Sequence, residues 1–150
     1  MKKNNHLVKL IAILLIASLC APISAQAAMP ETAAPMASDY LMACDTYICA
    51  VGGGDLEIWF EVTGTRTLEN IGAITIYLYE SSDNSNFYWV KTFHFTDYDN
   101  MMWHNHYHCL DYVPYEGVPG RYYKAYVQIW AGPENGGDSR NIWTSVERCT

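Results

Sequence analysis

The chain has 150 residues and carries nine Lys plus Arg against sixteen Asp plus Glu, a net charge of −7 with histidine neutral. That acidic balance excludes nucleic acid and anionic membrane as partners, because both require a basic footprint that displaces counterions. Half of the residues are hydrophobic, enough to build a core, and no composition bias marks the chain as fibrous or low in complexity.

The first element is an export signal. Residues 1–27 divide into a basic start (Lys2, Lys3, Lys9), an apolar run from Leu10 to Leu19, and the small-residue end Ile23-Ser24-Ala25-Gln26-Ala27. This is the pattern of a secretory signal peptide with cleavage after Ala27, and the run is too short to anchor across the ~30 Å of a bilayer's hydrocarbon. Removal of 27 residues leaves 123, with six basic against sixteen acidic side chains and a net charge of −10. The product is expected outside the cell. Residues 28–39, with two prolines and few bulky apolar side chains, read as a disordered leader. Residues 40–150 are then one domain.

Within that domain no helical period of any length occurs. Short runs rich in Val, Ile, Thr and aromatics alternate with Gly, Pro, Asn, Asp and Ser clusters, at Gly52-Gly53-Gly54-Asp55, 81–86, 96–100, 116–120 and 132–141. They predict about seven strands, over 45–51, 56–63, 72–80, 87–95, 104–113, 121–131 and 141–148. The fold expected is an all-β, antiparallel β-sandwich of immunoglobulin or fibronectin type III character.

Period-2 alternation assigns faces. Leu56, Ile58, Phe60 and Val62 are expected in the core, with Ile74, Ile76, Leu78, Tyr123, Ala125, Val127, Ile129 and Ala131. Left pointing outward are Trp59, Tyr77, Tyr79, Tyr122, Tyr126, Trp130 and Trp143. Tyrosine and tryptophan offer large apolar area with a polar tip, the qualities of interface anchors and of platforms for sugar rings. Trp59, Tyr77, Tyr122, Tyr126 and Trp130 are the candidate binding residues.

Four cysteines follow the signal: Cys44, Cys49, Cys109 and Cys149. An even count in a small exported domain predicts two disulfides, with three possible pairings. The segment His104-Asn105-His106-Tyr107-His108, with His94 on the strand before, offers a competing chemistry. Alternate histidines on a strand share one face, so His104 and His106 could present two imidazoles to zinc with His94 as third ligand, if the hairpin register brings it opposite. Glu57 and Glu61 flank Trp59, but residues four apart on a strand lie ~13 Å apart, beyond the roughly 5–9.5 Å between glycosidase carboxyls.

The segments Ile74-Thr75-Ile76-Tyr77-Leu78, Trp89-Val90-Lys91-Thr92-Phe93 and Gly120-Arg121-Tyr122-Tyr123-Lys124-Ala125-Tyr126-Val127 give the chain a likeness. It resembles short exported proteins of Gram-positive, often gut, bacteria that are grouped as a domain of unknown function. The resemblance implies a fibronectin-like scaffold and no particular activity.

No nucleophile elbow, metalloprotease helix, phosphate loop or EF-hand spacing is present. The expected function is therefore a secreted, non-catalytic sandwich, without a cofactor, that binds an extracellular protein or glycan through exposed aromatics. Two alternatives stand beside it. One is an exported zinc protein or small hydrolase using His94, His104 and His106; the other is a structural or self-associating surface protein.

Overall fold

The computed structural model describes residues 38–150; the expected signal peptide and residues 28–37 of the expected leader lie outside the described residues. The strands are β1 (Leu41–Gly52), β2 (Asp55–Ser81), β3 (Tyr88–His94), β4 (Met102–Glu116), β5 (Tyr122–Gly132), β6 (Asp138–Trp143) and β7 (Glu147–Arg148), with one 3₁₀ turn at Asp99–Met101. All pairings are antiparallel and join the seven strands into one sheet.

Strand β2 organises the whole domain. It runs 27 residues without a break, where the sequence predicts two strands separated at 64–71. Its first part pairs β1 on one edge and β4 on the other, with Trp59 opposite both Tyr47 and Tyr112. Its last part pairs β5 and β3, with Tyr77 opposite both Tyr126 and Thr92. At Gly72, β4 is still alongside through Met102 while β5 has already joined through Trp130. So β1 and β5 follow one another along one edge of β2, and β4 and β3 along the other.

The sheet curls on itself, so that the two halves of β2 and their partners face each other across one core. Leu56, Ile58, Phe60 and Val62 of the first half are fully buried, as are Ile76, Leu78, Tyr123, Ala125, Val127 and Ile129 of the second. Tyr115, paired to Leu56 in the first half, meets Phe93 and Tyr123 of the second edge-on, at centroid separations of 6.4 and 5.8 Å. Facing apolar layers are the economy of a sandwich, reached here by bending one sheet rather than stacking two.

Two irregularities make the bend possible. Pairing of β2 with β4 slips between Thr63 and Leu68, and pairing with β5 slips between Ala73 and Thr75. The second slip exchanges inside for outside along β2, while the first leaves the inward positions even-numbered. The core set is even-numbered to Leu68, odd at Ile71 and Ala73, and even again from Ile76. Ile74, expected in the core, is turned outward and only half-buried, while Thr75 takes an inward place at 5% exposure. Gly72 lies between the slips at φ 155, where a Cβ would stand 2.1 Å from the carbonyl oxygen of Met101.

The ends are fastened by polar side chains. The β1–β2 hairpin turns through Gly52-Gly53-Gly54, all at positive φ (94, 68 and 95°), a conformation that glycine adopts without steric cost. Asp138 accepts hydrogen bonds from the Ser38 hydroxyl (2.5 Å) and from the Tyr40 (2.7 Å) and Leu41 (3.2 Å) N–H groups. These bonds tie Ser38, which the sequence places in the leader, to the domain. In the β2–β3 turn Asp83 accepts from the Asn86 and Ser85 N–H groups, the Asn86 side-chain amide and the Ser81 hydroxyl, which holds its carboxyl well below the usual carboxylate range.

Candidate functional site: two aromatic faces and a groove

Cross-strand neighbours on the outside of the sheet share a face, and the outward aromatics accordingly gather into two clusters. On the first half Tyr47, Trp59 and Tyr112 form a row over β1, β2 and β4, with centroids 5.9 and 4.7 Å apart. The Trp59 indole N–H donates to Glu57 at 3.0 Å. Glu57 thus holds a tryptophan in place and does not converge with Glu61, which lies instead near His108 (4.0 Å).

The second half carries the larger cluster. Tyr77, Tyr126 and Trp143 lie in one row across β2, β5 and β6, at 6.4 and 4.9 Å, and Tyr79 packs on Trp143 at 5.3 Å. On β3, Trp89 stands opposite Tyr79 and donates its indole N–H to the Thr92 hydroxyl at 3.0 Å. The Lys124 ammonium lies over the rings of both Phe87 (4.3 Å) and Trp143 (4.8 Å). The inner rings are half-buried, while Trp89 and Trp143, at the two margins, are 60% and 49% exposed. Four strands at about 4.8 Å spacing make this platform roughly 14 Å wide.

Of the five candidate binding residues, Tyr77 and Tyr126 are in this platform and Trp59 is in the other cluster. Tyr122, half-buried on the same face of β5, lies under the Arg148 guanidinium at 5.9 Å. Trp130 belongs to a third feature, a groove of about 620 Å³ beside the bend of β2. Its apolar lining is Ile74, Phe95, Met102 and Trp130, and Asn70, His104, Glu69 and Glu134 complete it. Sequence reasoning passes over Trp89, Tyr47 and Tyr112 as site residues. Cross-strand register, which links Tyr47 and Tyr112 to Trp59, is the signal that finds them.

The three histidines are held apart. Asn105 sits in the left-handed region at φ 59, so the alternation that would put His104 and His106 on one face is broken. His104 lines the groove, whereas His106 turns edge-on to Trp103 at 5.1 Å. His94 pairs Thr75 and His104 pairs Asn70 along the same edge of β2, five residues or ~16 Å apart. The His94 ring packs on Phe95 at 4.8 Å and its Nδ1 shares a hydrogen bond with the Thr96 hydroxyl at 2.9 Å. Among the described residues no three His, Cys, Asp or Glu side chains come together as metal ligands.

The two disulfides expected from the cysteine count are not formed; Cys44, Cys49, Cys109 and Cys149 are unbridged thiols. Register explains two of the missing pairings. Cys44 and Cys109 lie opposite Val62 from its two sides, two strand spacings or about 9.6 Å apart, beyond the ~7 Å that a bridge spans. Cys44 pairs core-facing Val62 while Cys49 pairs outward Glu57, so these two point to opposite faces. Burial pushes the Cys109 thiol up to about 12, and burial also raises Cys149, whose Sγ rests 3.3 Å from the Gly54 carbonyl.

At the far end of the core, the Tyr123 hydroxyl donates to Glu80 at 2.5 Å and accepts from the Val118 N–H at 2.9 Å. Burial, and then Glu80, hold that hydroxyl protonated. Arg121 pairs the other Glu80 oxygen. Each polar group here has a partner within the cluster, and the arrangement fastens the loop after β4 to β5. No family model, curated protein or solved structure matches the chain.

Proposed function

We propose that the chain is a secreted, non-catalytic binding module that takes an extracellular glycan on the aromatic platform of β2, β3, β5 and β6. The observation that carries this reading is the cluster of Tyr77, Tyr126, Trp143 and Tyr79 in ring contact, with Trp89 opposite Tyr79 on β3 and both tryptophans exposed at the margins. Flat rings that brace one another lose little entropy when a sugar face stacks on them. The tyrosine hydroxyls and the Lys124 ammonium supply polar tips for the sugar hydroxyls. A platform open to solvent suits an extended polymer rather than a small enclosed substrate.

The test is affinity electrophoresis and pull-down of the mature domain with soluble and insoluble polysaccharides, against Trp89→Ala, Trp143→Ala and the double variant. Circular dichroism establishes that each variant is folded. Exposed anchors of this kind contribute about 2 kcal/mol each, so each single variant should bind at least tenfold more weakly and the double variant not measurably. Undiminished binding by the folded double variant defeats the platform. Binding only to proteins, with the same sensitivity, would reassign the partner and keep the surface.

A further inference from the structure

The groove beside the bend differs in character from the platform. Trp130 is on the same outward face of β5 as Tyr126, four residues further along, and one side of its indole is closed off. A Cβ on Gly137 would lie 2.6 Å from its Cζ2 and 2.7 Å from its Cε2, so the ring rests directly on the backbone of the β5–β6 turn. Its orientation is thereby set before any ligand arrives. Phe95, Met102 and Ile74 extend the apolar lining, Ile74 only because the slip in β2 turns it outward.

The charges of this groove are of one sign. Glu69 and Glu134 line it, no lysine or arginine does, and neither glutamate has a cationic partner within 4.0 Å among the described residues. Elsewhere in the domain cations already sit over rings, as Lys91 over Phe93 and Lys124 over Trp143; at Trp130 that position is not taken by any side chain of the described residues. A preset aromatic wall, an alkyl floor and two unneutralised carboxylates complement a positive charge carried on an apolar body.

We infer that the groove lined by Trp130, Phe95, Met102, Glu69 and Glu134 is a second binding site, selective for a small organic cation of the alkylammonium class. The cation lies against the indole face and is neutralised by the two carboxylates, while its carbon substituents cover Ile74 and Met102. An anion of the same shape is rejected by the glutamates. A neutral analogue gains the apolar contact alone.

The experiment titrates the folded domain with choline, and with the uncharged analogue in which carbon replaces the quaternary nitrogen. The indole N–H resonance of Trp130 is followed by NMR and assigned through Trp130→Phe. Choline should give saturable shifts at Trp130, with the neutral analogue binding at least about fivefold more weakly. Glu69→Gln and Glu134→Gln are surface changes that keep the fold, and each should weaken choline about two- to fivefold. Equal binding of charged and neutral probes, indifference to both glutamine variants, or no saturable shift at Trp130 overturns the inference. The Trp89 and Trp143 variants leave this site intact, so its failure and that of the platform are read separately.

Discussion

Replacing Gly72 by alanine tests the reasoning about how β2 serves both halves of the domain. The added Cβ would stand 2.1 Å from the Met101 carbonyl oxygen and 3.1 Å from Met101 C and Met102 Cα, against an ordinary contact of 3.4 Å or more. All three are backbone atoms, so no side chain can swing aside. Relief means moving the start of β4 by roughly 1 Å, and the Met101 side chain there is wholly buried among core residues that such a shift must repack. Backbone strain of about 1–3 kcal/mol and overpacking of about 1–3 kcal/mol then apply together. The expected loss is about 2–6 kcal/mol, a large share of the roughly 5–15 kcal/mol that a domain of this size has. Urea unfolding followed by tryptophan fluorescence measures it. Gly53→Ala is the control, because it shares a positive φ of 68° but its Cβ meets nothing within 4 Å; it should cost only about 1–2 kcal/mol. A Gly72→Ala midpoint within about 0.5 kcal/mol of the parent, or a larger loss in the control, would refute the account.

Two other outcomes follow from groups already described. Asp83 and Asp138 are both held below the ordinary carboxylate value, Asp83 chiefly by the Asn86 N–H and Asp138 chiefly by the Ser38 hydroxyl. Each therefore binds its proton less tightly in the folded state, so the stability it adds is full above about pH 4 and is lost as pH falls through the folded value. Melting temperature should drop below about pH 4, and the drop should be shallower in the Asp83→Asn, Asp138→Asn double variant. Thiol labelling at neutral pH without reductant should leave Cys109 and Cys149, 0% and 1% exposed, unmodified in the native domain, and should modify all four cysteines in denaturant. A count of two or none in denaturant would show that bridges form and would overturn the unbridged state of the four thiols.

Where the chain alternates without interruption, its faces are legible from the residues alone. Leu56, Ile58, Phe60 and Val62 on β2, and Tyr123, Ala125, Val127, Ile129 and Ala131 on β5, are buried as their spacing predicts. The continuity of β2 is not legible, because Gly64-Thr65-Arg66-Thr67 offers no apolar alternation to carry the expected strand past Thr63, although it is a bend within one strand. Ile74 misleads for a related reason: a slip in pairing exchanges inside for outside, and nothing in local hydrophobicity signals one. The histidines show the same limit at a single residue, since one left-handed asparagine undoes the shared face of His104 and His106. The groove was out of reach altogether, because its walls come from β2, the segment after β3, β4, β5 and the β5–β6 turn, and only the closed fold makes them neighbours. Within the platform, Tyr77 and Tyr126 could be singled out from the sequence, but their joining to Trp143 and Trp89 depends on registers that no spacing reveals.

Because one strand is the hydrogen-bonding partner of β1, β3, β4 and β5 alike, neither half of this domain is a unit that could open by itself. Separating the halves strips β2 from its neighbours on both sides, so amides of the paired stretches on either side of the bend should exchange with solvent only through global unfolding. A protease cut in the exposed Thr65–Thr67 segment would release no stable fragment; it would dissolve the domain.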